Sequence, residues 1–304
     1  MLFLIVGASG ALGGETMRRL LERGHRVRGM TRHVRRTRGL EDLGAEPVVA
    51  DLTDRASLVR ACDGVDRVFA AAHGLLGRGK NRSEAVDEAG HRSLIEVARE
   101  AGVDRFVYTS VLGAAPDHLV DFFRTKWLIE QDLATSGLAH VVLRPAAFME
   151  SHAHALNGKN ILEKGRTVIL GTGTKSRNFV SAQDVAEIAA RVLTAEMPPS
   201  RVIAIAGSGN FTNDEVARLY AKNAGIPARI IHVPRLLLRT VGLAVQPIHP
   251  GLARVMQLSA LADDAFSEAF TVADYRGYSE IGSTSLEAFV QERVREHRAS
   301  AAPC

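Results

Sequence analysis

Three glycines near the start of the chain are spaced to cradle a phosphate group. Gly7, Gly10 and Gly13 directly follow the hydrophobic run Leu2–Val6 and open an amphipathic stretch. Glycine permits a tight turn and a close backbone approach to a pyrophosphate, and the N-terminus of the following helix supplies N–H groups and a positive dipole end. A second hydrophobic run about 20 residues on favours a dinucleotide-binding βαβ unit over a glycine-rich turn without a ligand. We predict dinucleotide contacts from Gly7, Ser9, Gly10, Ala11, Leu12 and Gly13.

The residues after the second hydrophobic run indicate which dinucleotide fits. A carboxylate at this place binds the ribose hydroxyls of NAD, but the chain has Thr31 and Arg32 there. The first carboxylate after the second hydrophobic run is Glu41. A guanidinium group matches the 2′-phosphate of NADP in charge and geometry. We therefore predict NADP(H), in contact with Thr31 and Arg32. We interpret Arg36 and Arg38 as part of a solvated basic loop.

Two further strand ends should face the same crevice, because ligands bind beyond the carboxyl ends of parallel strands. Asp51 and Leu52 follow the third hydrophobic run, where a carboxylate can accept a hydrogen bond from the adenine amino group. Ala71 and Ala72 follow the fourth, and their small side chains leave room for a cofactor. For Asp51 the alternative is an N-cap or turn residue.

The elements that must position these residues alternate between strands and helices. Strands are predicted at Leu2–Val6, Arg26–Met30, Pro47–Ala50, Arg67–Ala71, Arg105–Thr109 and His140–Arg144. Helices are predicted at Ala11–Glu22, Arg55–Cys62, Ser83–Ala101 and Leu119–Ser136. This alternation predicts an α/β protein with a Rossmann-type, doubly wound parallel sheet in residues 1–150.

The second half of the chain is richer in helix and has no second phosphate-binding loop. Strands are predicted at Arg166–Leu170, Arg201–Ile205 and Arg229–Val233, and helices at Ser181–Thr194 and Thr212–Ala224, followed by three helical runs that end with Ser285–His297. We expect residues 151–304 to form a smaller lobe, interleaved with the end of the sheet, that completes a substrate cleft.

Composition excludes several classes of protein. Of 304 residues, 46% are hydrophobic and 24% are charged, which is typical of a soluble globular chain. Two cysteines, Cys62 and Cys304, cannot form a disulfide framework and predict a reducing, cytoplasmic compartment. The most apolar stretch, Leu236–Pro250, is interrupted by Arg239 and falls short of the ~20 residues of a membrane span. Only six of the 38 cationic residues are lysines, and because the cations are spread along the chain we predict no nucleic-acid partner.

Further motifs carry a resemblance to a known family. They are Val107-Tyr108-Thr109-Ser110, Lys126-x-x-x-Glu130, Leu143-Arg144-Pro145-x-x-Phe148-Met149-Glu150, Asn178-Phe179-Val180 and Asp184-Val185-Ala186. Together with the glycine loop and Arg32, they resemble the NmrA-like branch of the atypical short-chain dehydrogenases over nearly the whole chain. The resemblance implies NADP(H) binding, and its members include NADPH-dependent quinone reductases and redox-sensing regulators without activity. It adds to the expected cofactor contacts Thr109, Ser110, Lys126, Pro145 and Phe148.

The chain departs from the family pattern at one position. Ordinary members use Tyr-x-x-x-Lys, with the tyrosine as the acid, but Phe122 stands four residues before Lys126 and has no proton to donate. Lys126 is the candidate catalytic residue that remains. Its alternative is a helix-surface lysine that pairs with Glu130.

The substrate side is predicted from Phe148, Met149 and His152, which follow the last strand of the first domain. His152 and His154 form an H-x-H pair, but no carboxylate or thiol clusters with them, so no metal site is predicted. His73 is a further candidate proton donor beside the fourth strand.

These observations favour an NADPH-dependent reductase that transfers hydride to a small conjugated acceptor such as a quinone or an enone. Such an acceptor needs no strong acid beside it, because the negative charge it gains is delocalised. The alternative is a non-catalytic NADP(H)-binding redox sensor or assembly factor, which the loss of tyrosine at Phe122 supports.

Overall fold

The chain folds into two units. The computed structural model describes residues 1–74, 84–195, 201–262 and 278–301. The first unit contains residues 1–145 and 185–204, and the second contains residues 146–184 and those from 205 onward. The first stretch of the first unit ends at residue 145 rather than at the expected residue 150, and residues 185–204 of the interleaved second half also belong to the first unit. They supply most of one further helix and the greater part of one further strand.

The regular elements of the described residues are as follows. The strands are β1 (Leu2–Val6), β2 (Arg26–Thr31), β3 (Glu46–Val49), β4 (Arg67–Ala70), β5 (Arg105–Thr109), β6 (His140–Pro145), β7 (Ala147–Phe148), β8 (Arg166–Leu170), β9 (Ser176–Val180), β10 (Arg201–Ala206), β11 (Asn210–Thr212), β12 (Arg229–Val233) and β13 (Tyr278–Ile281). The helices are α1 (Ala11–Glu22), α2 (Thr37–Glu41), α3 (Arg55–Cys62), α4 (His91–Glu100), α5 (Asp121–Thr135), α6 (Lys159–Lys164), α7 (Ala182–Thr194), α8 (Asn213–Ala224), α9 (Arg235–Val245), α10 (Pro250–Ala262) and α11 (Leu286–Ala301). A short 3₁₀ turn spans Val34–Arg36, and π-helical segments span Glu84–Gly90 and Met149–Gly158.

The first unit is a Rossmann-type α/β fold, as predicted. Its strands lie in the order β10-β6-β5-β4-β1-β2-β3, and β1 pairs in parallel with both β2 and β4. Strand order therefore reverses between β1 and β4, which is where ligands bind in such sheets. Strand β1 is buried along its whole length, because a central parallel strand is covered on both faces.

Sequence periodicity located the elements of the first unit well. The strands and three of the four helices predicted within residues 1–150 are present to within a few residues. The helix predicted at Ser83–Ala101 is divided into the π-helical segment Glu84–Gly90 and α4, and Ser83 lies outside the described residues. The 3₁₀ turn Val34–Arg36, the helix α2 and the two-residue strand β7 were not predicted. Elements this short contain too few residues to establish a hydrophobic period.

The second unit has its own apolar core and small sheets. Strand β9 lies between β11, to which it is antiparallel, and β7, to which it is parallel, and β8 pairs with β12. Its core includes Phe179, Tyr220 and Phe289. Helix α8 begins with a capping box in which Thr212 and Glu215 satisfy each other's backbone N–H groups. No helix in the described ranges is both long and apolar enough to span a bilayer.

We expect Gly13→Ala to lower the free energy of unfolding by about 2 kcal/mol or more, because a Cβ there would lie 2.3 Å from the backbone oxygen of Gly7. The matched control is Gly39→Ala in α2, where an added Cβ meets nothing within 4 Å. Urea unfolding of both variants checks this expectation. Equal stability of the two variants would contradict the close packing of α1 on the glycine loop.

Candidate functional site

A cavity of about 550 Å³ lies at the point where the strand order reverses. It opens beyond the carboxyl ends of β1, β2, β3 and β4 and belongs entirely to the first unit. Of the predicted cofactor contacts, it brings together Gly7, Ser9, Gly10, Thr31, Arg32, Asp51, Leu52 and Ala72. The candidate proton donor His73 also lines it.

The glycine loop leaves no room for side chains at its base. Gly7 has a φ of 94°, and a Cβ on it would lie 3.0 Å from the backbone nitrogen of Ala72. The N–H group of Gly10 donates to the Gly7 oxygen at 2.9 Å and closes the turn. Gly13 serves packing rather than the cavity, because it faces the Gly7 carbonyl. Leu12 is buried and does not line the cavity, whereas Ala11 is exposed at the start of α1.

The N-terminus of α1 fits an anionic ligand. Gly10 is the N-cap residue and forms no side-chain cap, and the first turn contains no acidic residue. The N–H groups of a first turn have no partners within their own helix, and they carry the positive end of the dipole. The glycine cradle and this helix end therefore fit a dinucleotide pyrophosphate.

Two arginines approach the cavity from the segment after β2. Arg32 lines the cavity itself. The guanidinium group of Arg36 donates a hydrogen bond of 2.8 Å to the Ser9 hydroxyl on the glycine loop. Arg36 is exposed, as interpreted, but the 3₁₀ turn Val34–Arg36 also brings its guanidinium group to the glycine loop. Arg38 is exposed, as interpreted.

Asp51 combines a position on the cavity with a local turn. Its Oδ1 accepts hydrogen bonds from the backbone N–H and the hydroxyl of Thr53, at 2.9 and 2.8 Å. The N-cap of α3 is Asp54, which accepts from the Ala56 N–H group. The N-cap alternative for Asp51 is therefore wrong, whereas the turn and the adenine contact are compatible with each other.

Lys126 is buried and lies beside two aromatic rings. Phe122, Lys126 and Glu130 lie on one face of α5, because residues four apart share a helix face. The Lys126 ammonium donates to the Thr109 backbone oxygen at 3.0 Å and lies 4.8 Å from the Tyr108 ring centre and 5.7 Å from that of Phe122. Burial lowers the pKa of Lys126, against the opposing influence of nearby carboxylates. The alternative of a surface lysine is therefore wrong.

Glu130 joins α5 to the ends of two strands. Its carboxylate accepts hydrogen bonds from Arg144 at 2.5 and 3.0 Å and from the Ser110 hydroxyl. Glu130 is buried, so this paired charge lies in a low-dielectric environment. The contacts fix the ends of β5 and β6 against the helix that carries Lys126.

The predicted cofactor contacts Ala71, Thr109, Ser110 and Pro145 lie at strand ends of the first unit, outside the lining of the cavity. The Ala71 N–H group donates to the Val6 oxygen, and the Pro145 carbonyl accepts from the Leu112 N–H group. The Thr109 hydroxyl is buried and has no hydrogen-bond partner among the described residues.

A buried polar cluster behind the cavity was missed in the sequence. Asp87 and His91 are fully buried, and the Asp87 carboxylate accepts from the Gly74 N–H group at 2.7 Å. The His91 Nδ1–H donates to the Val86 oxygen, and its ring packs edge-on against Tyr108. Burial lowers the pKa of His91 to about 4. The sequence held no signal for the pair, because burial rather than residue type distinguishes them.

The predicted substrate residues belong to the second unit. Met149 is only 1% exposed and packs in the core of that unit, so its assignment to a substrate wall was wrong. Phe148 and His152 are half-buried, and His152 contacts the Ser151 hydroxyl. The His154 ring nitrogen lies 3.1 Å from the Tyr220 hydroxyl. Among the described residues, no three His, Cys, Asp or Glu side chains are grouped as metal ligands.

Comparisons with known proteins agree with this geometry. A family model described as NAD(P)H-binding matches residues 7–196, so the chain belongs to that family. It is 30% identical to an NAD(P)H azoreductase of Xenophilus azovorans over 76% of this chain and 77% of that protein. It is 28% identical to the photosystem II assembly factor Ycf39 of Guillardia theta over 96% of this chain and 94% of that protein.

A solved structure shares the fold. An NADPH-dependent quinone oxidoreductase from Escherichia coli, in complex with NADPH, superposes with a TM-score of 0.73 at 22% identity, covering 96% of this chain and 99% of that one. The protein is thus a Rossmann-type member of the NAD(P)H-binding family. The expected NmrA-like resemblance is consistent with this family.

We expect the stability of the fold to fall by about 2 kcal/mol through His91 alone when the pH drops from 7 to 5. The pKa of His91 is about 4 when folded and 6.5 for the free side chain, so the unfolded chain takes up the proton first. The contribution of the neutral ring is thus present above pH 6.5 and is lost as the pH falls through 4.

Urea unfolding at both pH values, with wild type and His91→Gln, measures this loss. The variant should lose correspondingly less stability on acidification. The control is His33→Gln at an exposed site, which should behave as wild type. An identical acid loss in all three proteins would contradict the assignment to His91.

Proposed function

We propose that the protein is an NADPH-dependent reductase of small conjugated acceptors such as quinones or enones. The observation that carries the proposal is the arrangement on one face of α5. The lysine of the Tyr-x-x-x-Lys pattern is present as the buried Lys126, whereas Phe122 stands in place of the tyrosine that acts as the acid. An acceptor whose charge is delocalised after reduction requires a cation and orientation more than it requires a strong acid.

The residues that would hold the cofactor follow from the cavity. The backbone of Gly7 and Gly10 and the N-terminus of α1 suit the pyrophosphate, and Arg32 with Arg36 suit the 2′-phosphate. We propose that the Thr109 hydroxyl and the Lys126 ammonium, which donates to the Thr109 carbonyl, contact a ribose. When bound, the reduced nicotinamide supplies the hydride.

The chain's own residues supply orientation and electrostatics. Glu130 holds the end of β5 through the Ser110 hydroxyl, and with it the Thr109 carbonyl that accepts from the Lys126 ammonium. Phe122 presents an apolar ring where an acid would stand, so the proton for the reduced acceptor comes from water. Phe148 and His152 are proposed to contact the acceptor.

The relatives support this class of acceptor. Azo compounds and quinones, named in two of the similar proteins, both have conjugated π systems that delocalise charge.

A second candidate function is a non-catalytic assembly factor or redox sensor. Phe122 favours it, as does the similarity to Ycf39 over almost the whole chain. NADPH turnover distinguishes the two. A cytoplasmic location stays a prediction.

We expect NADPH to bind much more tightly than NADH, and Arg32→Ala or Arg36→Ala to reduce that difference by about 1–3 kcal/mol each, the range for a lost charge-assisted hydrogen bond. The affinity for NADH should stay unchanged. The control is Arg38→Ala, since Arg38 is exposed and does not line the cavity. Fluorescence titration with both dinucleotides checks this. Equal affinity of the wild type for NADPH and NADH would show that Arg32 and Arg36 do not bind the 2′-phosphate.

The proposal also predicts which acceptors react. Quinones should oxidise NADPH measurably in the presence of the wild type, and simple ketones should react poorly. Phe122→Tyr should change the rate of quinone reduction little, because the proton comes from water.

Lys126→Met should weaken NADPH binding about tenfold or more through loss of a charged hydrogen bond. The control for it is Lys159→Met, a largely exposed lysine of the second unit.

Stopped-flow absorbance at the NADPH band gives the rates, and circular dichroism checks that each variant is folded. Efficient reduction of simple ketones by the wild type would contradict the delocalised-acceptor argument. Tight NADPH binding without turnover of any acceptor would favour the non-catalytic function.

A further inference from the structure

Helix α9 of the second unit exposes large apolar side chains. Leu236 is 77% exposed, Leu243 65% and Ile248, in the turn to α10, 76%. Leu237 is also exposed. Water-soluble chains rarely leave contiguous apolar groups on the surface unless another surface covers them.

The exposed groups lie on one face of the helix. At about 100° per residue, Leu236, Thr240 and Leu243 fall on the outward side, and the buried Leu238 and Gly242 fall on the inward side. Both faces of α9 are therefore apolar, although only one packs on the protein.

Two arginines border the exposed face. Arg235 and Arg239 are four residues apart and follow one edge of the arc that contains Leu243 and Leu236. A long arginine side chain at such an edge can cover apolar surface with its stem and keep its charge at a polar boundary.

The surrounding sequence is strongly basic. Residues 216–262 contain six Arg or Lys and no Asp or Glu, whereas the rest of the chain has 32 cationic and 34 acidic residues. The positive charge of the protein is thus concentrated in the segment that contains α9 and α10.

We propose that the exposed face of α9 and the turn at Ile248 dock onto the surface of an anionic lipid bilayer. An apolar face bordered by arginines is the pattern of a helix that lies in the membrane interface, with its leucines among the acyl chains and its cations at the lipid phosphates. Concentrated positive charge favours an anionic lipid surface over an apolar protein partner. The inference is independent of the proposed reaction.

The test is flotation of the full chain with vesicles of phosphatidylcholine alone and of phosphatidylcholine with phosphatidylglycerol in equal parts. The wild type should float with the anionic vesicles, and less so at high salt. The double variant Leu236→Ser with Leu243→Ser should reduce the bound fraction about tenfold or more, because two leucines lose their apolar burial. The control is Leu156→Ser, which replaces a leucine that is 55% exposed elsewhere in the second unit. It should float as the wild type does.

Arg239→Glu is a second variant that keeps every leucine and should also reduce binding to anionic vesicles. Absence of flotation would overturn the proposal. So would equal binding to neutral and anionic vesicles, or equal loss in the double variant and in Leu156→Ser. A dimer in sedimentation velocity that the double variant abolishes, without vesicle binding, would instead assign this face to a second copy of the chain.

Discussion

The site depends on a close approach of three backbone segments at the end of β1. The loop at Gly7 lies against the backbone of Ala72 after β4, and α1 approaches the same loop at Gly13. A Cβ at either glycine would lie within 3.0 Å of a backbone atom. Because no side chain intervenes, the N-terminus of α1 points at the crevice where the strand order reverses, and the cavity lies directly in front of it.

A second constraint lies behind the cavity, where charge is buried. Lys126 is held by one backbone carbonyl and two aromatic rings, and Glu130 is neutralised by Arg144. Removing an ammonium group from water is unfavourable unless partners compensate for it. A solvent-exposed lysine would avoid that cost, so the burial of Lys126 beside Phe122 is the feature of the first unit that most supports the proposed role of this residue.

The features that depend on local sequence pattern were predicted correctly. Hydrophobic periodicity located the strands and helices around the crevice, and the glycine spacing identified the loop between β1 and α1. The contact between Arg36 and Ser9 depends on a three-residue turn, which leaves no periodic signal. Met149 was misassigned because a hydrophobic residue after a strand can face a pocket or a core equally well, and only tertiary packing decides between them.

The central claim is that the crevice in front of α1 binds a dinucleotide through its 2′-phosphate. Calorimetric titration of the wild type with 2′,5′-ADP and with 5′-AMP tests it on the adenosine half alone, independently of any acceptor. The account predicts that 2′,5′-ADP binds about tenfold or more tightly than 5′-AMP, since only the former presents a phosphate to Arg32 and Arg36. Equal affinity for the two nucleotides, or no binding of either, would contradict it.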